Sequence, residues 1–462
     1  MKKTLISLLA IPCLARGIFA QGTPVALASM RDTVRRVSID SDTAFHPIGL
    51  QHAIELAQRN APIAVQARGQ IRSANASVRA AYSALIPAVS ITAGQSNQTG
   101  DRLGQSGNIV PYNPKHPWSY STGVRSSLRL FDGGQRFYQI SQSKADVTSA
   151  EANDVAQQFN VALQVKTQYY AILAAREMES AAGAQLDQAQ ADMNAAAARV
   201  SAGAATLSDS LRTVIEVGNA RLALITAQNN LRTASAALTR LVAAPYLVTA
   251  EAIDSLDRSL SPIDSAELVQ LALRGPAVAQ ASAQMVAAQA AVRSARTTYL
   301  PTVDLTFTRG GSGFAPYGAG ASGDTLLNRQ YPYTNTFQLS ASLPLFNNYQ
   351  RELALAQAQV AKDDADATLR DARLAAQQNI VQQLASLRAA QEQIDIQQAS
   401  IRSAEEDLRV QQQRYALGAS TLLDLLTSQT TLDQQRAALI QARQSYRLAR
   451  AQIEAVIGRD LQ

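Results

Sequence analysis

Two short stretches decide the fold: Arg199-Val200-Ser201-Ala202-Gly203 followed by Thr206-Leu207-Ser208-Asp209, and Arg414-Tyr415-Ala416-Leu417-Gly418 followed by Thr421-Leu422-Leu423-Asp424. Each reads as a helix end, a glycine that can take the left-handed turn after it, and a Thr-x-x-acid cap that starts the next helix. The second stretch repeats the first at a shift of 215 residues. Two helical hairpin turns in one register mean an internal repeat, and a repeat fixes the architecture before any single element does.

Outward from the turns the register holds. At the same shift Phe131 falls on Phe346, Leu224 on Leu439, Ile225 on Ile440 and Arg232 on Arg447. At a shift of 214, Pro62 falls on Pro276, Arg79 on Arg293, Pro87 on Pro301 and Val89 on Val303. Each half reads in one order: helix, strand, polar loop, strand, very long helix, tight turn, returning helix. The first repeat spans 21–244, with strands near 88–97 and 118–131, a long helix over 132–200 and a returning helix over 205–243. The second spans 265–462, with strands near 302–309 and 333–346, a long helix over 347–415 and a returning helix over 421–457. Pro245 and Pro262 mark the inter-repeat linker, 245–264.

No proline interrupts the chain from Phe131 to Val200 or from Phe346 to Tyr415. At about 1.5 Å per residue, each long helix reaches roughly 100 Å. Apolar or small residues at Val155, Phe159, Ala162, Val165, Tyr169 and Ile172 recur at threes and fours, a coiled-coil seam. The returning helices carry sevens at Val217, Leu224, Leu231 and Leu238, and at Leu432, Leu439, Tyr446 and Ile453. Each returning helix is thus expected to lie antiparallel on its long helix.

The strands alternate. Val89, Ile91 and Ala93 oppose Ser90, Thr92 and Gly94; Trp118, Tyr120, Thr122 and Val124 oppose Ser119, Ser121, Gly123 and Arg125. Val303, Leu305 and Phe307, then Phe337, Leu339 and Ala341, repeat the pattern. One apolar and one polar face fit a lipid-facing exterior and a wet lumen, with Trp118, Tyr120, Tyr331 and Tyr333 as interfacial aromatics. A half-buried soluble sheet accounts for the same alternation. Four strands cannot close a membrane barrel, and lipid tolerates no open edge, so a spanning sheet needs several chains. Gly310-Gly311-Ser312-Gly313 lacks the Gly-Lys-Ser/Thr of a phosphate loop and reads as the start of an extracellular loop reaching Asp324.

Lys2 and Lys3 precede an apolar run from Leu5 to Leu14, with small residues at Ala15 and Ala20, so residues 1–20 read as a signal peptide and the chain as exported. That run is shorter than the about 20 apolar residues a spanning helix needs. Cys13, the only cysteine, lies inside it, which leaves no disulfide in the mature chain. The formal charge of +6 includes Lys2, Lys3 and Arg16 of the leader, and what remains argues against nucleic acid as a partner. His46, His52 and His116 are scattered, without metal-ligand spacing, and no serine stands in a nucleophile motif. Neither a cofactor nor an enzyme is expected.

Ala81-Tyr82-Ser83-Ala84-Leu85-Ile86-Pro87 and Thr298-Tyr299-Leu300-Pro301 precede the first strand of each repeat; Leu130-Phe131-Asp132-Gly133-Gly134 and Leu343-Pro344-Leu345-Phe346 follow the second. These motifs, with the duplicated strand pairs and long helices, resemble the TolC family of outer-membrane factors over nearly the whole mature sequence. The Phe-Asp-Gly-Gly exit is the most specific, and Asn347 and Asn348 stand in place of its glycines in the second repeat. The resemblance implies an α+β fold: a long α-helical hairpin barrel joined to a membrane β-barrel, four strands per protomer, closed as a twelve-stranded barrel in a homotrimer. It also implies an outer-membrane location reaching into the periplasm, and a passive exit duct for efflux or type I secretion. Its partners would be a periplasmic adaptor protein, an energised inner-membrane transporter and the lipid bilayer.

By the same resemblance Asp424 matches the first acid of a pore constriction at the periplasmic helical tips, where carboxylates from three protomers would favour cations. Thr427 stands where a second acid is expected, so one acidic ring would remain and any metal hold would be weak. Asp209 and Tyr415 match a pair linking neighbouring hairpins in the closed state, while the basic residue expected near Ser420 is absent. Arg199, Gly203, Arg414 and Gly418 match the tips on which the adaptor docks. Ordinary helix termination accounts for both glycines, and capping for both aspartates, with no function invoked. An exported coiled-coil scaffold or surface fibre is the competing function; it explains the heptads and leaves the amphipathic strands unused. The cargo is not legible in the sequence.

Overall fold

The protein is described as a computed structural model over residues 45–97, 100–103, 107–111, 118–252, 265–315 and 333–461. The expected signal peptide, Tyr331 and most of the linker, 253–264, lie outside these residues. The first repeat comprises β1 (His46–Ile48), α1 (Leu50–Asn60), α2 (Pro62–Ser83), β2 (Ala88–Asn97), a short hairpin of β3 (Asp101–Leu103) and β4 (Ile109–Pro111), β5 (Trp118–Phe131), α3 (Gln135–Ser201) and α4 (Leu207–Val242). After β6 (Val248–Ala250) the second comprises α5 (Ser265–Ala272), α6 (Pro276–Arg296), β7 (Thr302–Ala315), β8 (Tyr333–Ser342), α7 (Gln350–Ala416) and α8 (Leu422–Ile457). Both long helices have 67 residues and both returning helices 36. Among the described residues no helix is long and apolar enough to cross a membrane.

Two sequence expectations need correction. Gly310, Gly311, Ser312 and Gly313 lie inside β7, paired with Gly123, Thr122, Ser121 and Tyr120 of β5. Gly123 and Gly310 stand opposite each other, and a Cβ on Gly123 would make only ordinary contacts, 3.6 Å from the Gly310 Cα, so these glycines are residues of a regular sheet and not of a loop. At the other end, β8 stops at Ser342, short of the expected 346, because Pro344 has no N–H for a ladder.

β2, β5, β7 and β8 form one 4-stranded antiparallel sheet in that order, so the two repeats join at β5 and β7 and leave β2 and β8 as edges. Ile91 pairs with Val124, Leu128 with Leu305, and Phe307 with Phe337, whose rings stand 4.6 Å apart. Val89, Ile91, Phe337 and Leu339 are all exposed in the single chain, an apolar face without a cover. Within the sheet Arg129 Nε pairs with Asp304 at 2.9 Å. Tyr333 lies under the Arg309 guanidinium at 5.8 Å; Trp118 and Tyr120 lie in β5.

The strand-to-helix exits show how chemistry sets chain direction. Gly133 and Gly134 take positive φ, and the buried Asp132 carboxylate accepts from the Gly134 N–H at 3.1 Å and from Arg136 Nε at 2.8 Å. In the second repeat Asn348 and Tyr349 take the left-handed turn at φ 55 and 60. There Arg351 holds the exit by donating to the Pro344 and Leu345 carbonyls at 2.8 and 3.2 Å.

Two apolar cores run beside the helices. In the first, Val161, Val165, Tyr169 and Ile172 of α3 meet Ile54 of α1, Leu238 and Val242 of α4, and Val248 of β6. In the second, Ile380, Leu387 and Ile394 of α7 meet Tyr446 and Ile453 of α8 and Leu268 of α5. Val155, placed in the seam by its spacing, is 46 % exposed, because α4 ends at Val242 and at that level α3 packs instead on α2 and α6. The β1–β6 pair is parallel and was not legible in the sequence. Between repeats, Lys166 of α3 reaches Glu454 of α8 at 2.6 Å and Asp460 at 2.9 Å.

Candidate functional site

The sequence-predicted residues converge on the two hairpin tips. At the end of α3 the Gly203 N–H donates to the Val200 carbonyl at 3.0 Å and the Ala204 N–H to the Arg199 carbonyl at 2.8 Å. At the end of α7 the Gly418 and Ala419 N–H groups do the same to Tyr415 and Arg414, at 3.1 and 2.8 Å. This paired pattern is the Schellman motif, which consumes the orphan carbonyls of a helix end. Gly203 and Gly418 sit at φ +73 and +72, a region that penalises any Cβ.

Each returning helix then opens with a reciprocal capping box. The Thr206 hydroxyl accepts from the Asp209 N–H at 3.2 Å, while the Asp209 carboxylate accepts from the Thr206 N–H at 3.2 Å and its hydroxyl at 2.8 Å. Thr421 and Asp424 repeat it at 3.2, 3.0 and 2.7 Å. The Thr421 backbone N–H, then its hydroxyl, hold the Asp424 carboxyl below the usual carboxylate range, helped by the positive Arg414. Asp424 is exposed, and both cap donors go to Oδ2. Thr427, one turn on and exposed, donates its hydroxyl to the Leu423 carbonyl at 2.8 Å.

Arg199 and Arg414 behave differently despite equivalent positions. Arg414 stays local, donating to the Ala419 carbonyl at 3.3 Å. Arg199 crosses to the other hairpin: its guanidinium lies 4.4 Å from the Tyr415 ring centroid and donates to the Tyr415 and Ala416 carbonyls at 3.3 to 3.4 Å. Within one chain Asp209 is engaged by its own cap and Tyr415 by Arg199, so the structure does not bring Asp209 and Tyr415 together. The Arg199 crossing was not foreseen; its only sequence signal is that Val200, at the position equivalent to Tyr415, offers Arg414 no ring.

Further from the tips, polar side chains again bridge the hairpins. Gln429 donates to Asp192 at 2.8 Å, and Ser428 to Asp407 at 2.6 Å. A cavity of about 660 Å³ lies between α3, α4 and α8, floored by Ala174, Ala175, Ala181 and Ala182, with Asp433 and Arg436 at its polar side. Burial pushes the Asp433 carboxyl up, Arg436 pulls it down and Glu216 pushes it up further. No group of three or more His, Cys, Asp or Glu among the described residues is arranged to hold a metal ion.

Comparison with known proteins places this geometry. The family described as outer membrane efflux protein matches residues 53–244 and, again, 268–459. The chain is 28% identical to the pyoverdine export outer membrane protein OpmQ of Pseudomonas aeruginosa, over 87% of this chain and 83% of that one. It is 29% identical to the protein CyaE of Bordetella pertussis, over 83% of this chain and 78% of that one. The fold superposes on the outer membrane protein VceC of Vibrio cholerae with a TM-score of 0.72 at 18% identity, over 89% of this chain and 97% of that one. Because the family match takes in both repeats and most of the chain, this protein belongs to the outer membrane efflux protein family, the TolC type its motifs resemble, and is an outer-membrane efflux channel protein that reaches into the periplasm.

Proposed function

We propose that the chain is one protomer of a trimeric exit duct, in which three 4-stranded sheets close a twelve-stranded barrel and the helical hairpins form a periplasmic tunnel. One observation carries this reading: the edges of the sheet are equivalents of strands that already pair inside it. By the internal repeat β2 corresponds to β7 and β5 to β8, so the β5–β7 junction within a chain is matched by β8 against β2 of the next copy. Such closure removes the open edges that lipid does not tolerate and gives the exposed face of Ile91, Phe337 and Leu339 a lipid environment.

The tips are the natural gate of such a tunnel. Asp424 from three protomers supplies a carboxylate ring that favours cations, and Thr427 one turn away adds a neutral, hydroxyl-bearing ring. Asp209 and Tyr415, which the single chain does not bring together, link hairpins of neighbouring copies in the closed state, and Arg199, Gly203, Arg414 and Gly418 present the tips to a periplasmic adaptor joined to an inner-membrane transporter. Export of a pyoverdine-like metabolite is one cargo this relationship supports, by analogy with OpmQ.

Reconstitution of the purified mature protein in planar bilayers tests the reading, with mass determined in detergent on the same sample. Small cation-selective openings, less selective in Asp424→Ala, are expected from a trimer. A protein that stays in solution without detergent and conducts nothing would replace the duct with an exported coiled-coil scaffold.

A further inference from the structure

We infer that Arg232 on α4 of one copy pairs with Glu392 on α7 of the next, repeating between chains the ion pair of Arg447 with Glu177 inside one and fixing the register of the seam in which α4 meets α7. The inference rests on the trimer proposed above and assigns its helical interface residue by residue. α3 and α7 have the same length, as do α4 and α8, and the shift of 215 applies throughout both pairs, so every position has a mate. Inside the chain α3 packs on both α4 and α8, and α8 on both α3 and α7, while α4 and α7 each lack the second of these neighbours.

The exposure of mated residues follows that difference. Ile440 of α8 is 8 % exposed, and its mate Ile225 on α4 is 47 % exposed. Leu422 and its mate Leu207 are 5 % and 67 % exposed. On the opposite edge Ala174 of α3 is buried and its mate Ala389 on α7 is exposed. Ala181, which lines the groove between α3 and α8, has as its mate on α7 a larger and exposed side chain, Ile396. Apolar side chains buried where α3 meets α8 are therefore left uncovered on α4 and α7.

A charge pair fixes the register. Arg447 Nη1 of α8 lies 3.8 Å from Glu177 Oε1 of α3. Their mates are Arg232 on α4 and Glu392 on α7, both exposed, and neither forms an ion pair within its own chain among the described residues. One step round the ring, Arg232 of one copy meets Glu392 of the next, with Ile225 beside Ile396. The second cation on Glu177, Arg443 at 3.7 Å, has Gln228 as its mate, so the seam keeps one ion pair where the interior has two.

Cysteine cross-linking decides the register, since Cys13 is the only native cysteine. R232C/E392C treated with a short bis-maleimide in native membranes is expected to give covalently joined dimers and trimers. E177C/R447C under the same reagent stays at the mass of one chain. R232E and E392R should each lower the temperature at which the trimer dissociates in detergent by a few degrees, and R232E/E392R should recover it. A wild-type trimer whose R232C/E392C variant yields no inter-chain product overturns the seam and leaves the trimer standing. If the cysteine pair itself impairs assembly, the reversal series decides: single losses without recovery in the double variant overturn the seam. A wild-type protein that is monomeric in detergent and in cross-linked membranes overturns the trimer and the seam together.

Discussion

The Arg199 guanidinium lies 4.4 Å from the Tyr415 ring centroid and donates to the Tyr415 carbonyl, tying the first hairpin's tip to the second. A cation over an aromatic face at an accessible site contributes about 0.5–1 kcal/mol, and charge-assisted hydrogen bonds add to it. Arg199→Ala should therefore favour a loosened tip by a few-fold, read as a larger or more frequent open level in single-channel recordings. Arg414→Ala, which loses only a local contact at Ala419, should change opening less. Equal effects from the two substitutions would remove the crossing contact from the gate.

The tip should keep its charge to low pH. The Asp424 carboxyl is held below its ordinary 3.8 by donation from the Thr421 N–H and hydroxyl. A depressed folded value means that the cap's contribution is present above the unfolded pKa and is lost as pH falls through the folded one. Reversal potentials measured in a salt gradient should show cation selectivity held from about pH 7 to about pH 5 and lost progressively in more acid solution. Selectivity lost between about pH 7 and about pH 5 would assign it to another group.

Lys166→Met should strip the main ionic bond between repeats. Lys166 and Glu454 are both about nine-tenths buried at 2.6 Å, and without Lys166 the buried Glu454 keeps Arg450, at 3.5 Å, as its counter-charge. Leaving a buried charge wholly unpaired costs about 3 kcal/mol, and the remaining arginine makes the loss here smaller. Burial draws the Lys166 pKa down, but hydrogen bonds to Glu454 and Asp460 outweigh it and the net shift is upward. The pair's stabilisation is accordingly full below the ordinary 10.5 and lost as pH rises through the folded value. Thermal unfolding of wild type should weaken at strongly alkaline pH, whereas the Met variant should start lower and lack that step.

Asp433→Asn should stabilise the hairpins at neutral pH. Burial raises the carboxyl's pKa, Arg436 offsets part of that and Glu216 adds to it, so the ionised form is disfavoured in the fold. A raised folded value for an acid is a penalty present above that value and absent below the unfolded pKa. The gain in melting temperature should be largest near neutrality and vanish in acid. A variant less stable than wild type at neutral pH would mean that the contact with Arg436 outweighs the burial.

Local chemistry determined much of this protein. Gly203 and Gly418, with Thr206-x-x-Asp209 and Thr421-x-x-Asp424, contain in a few adjacent residues everything a Schellman turn and a capping box need, so both tips were legible. The alternation of Val303, Leu305 and Phe307 revealed a strand for the same reason, since period two is a property of the backbone itself.

What only the tertiary structure decided lies between segments far apart in sequence. The parallel pairing of β1 with β6, the strand character of Gly310–Gly313 and the reach of Arg199 to Tyr415 each depend on what the distant partner presents. Glycine reads as a loop until Gly123 stands opposite Gly310, and the reach of an arginine is not legible until a ring from the other repeat lies beneath it. Periodicity fixes which way a side chain faces along its own element; which element it then meets is set by packing across the two repeats, and that information is shared between sequence positions hundreds of residues apart.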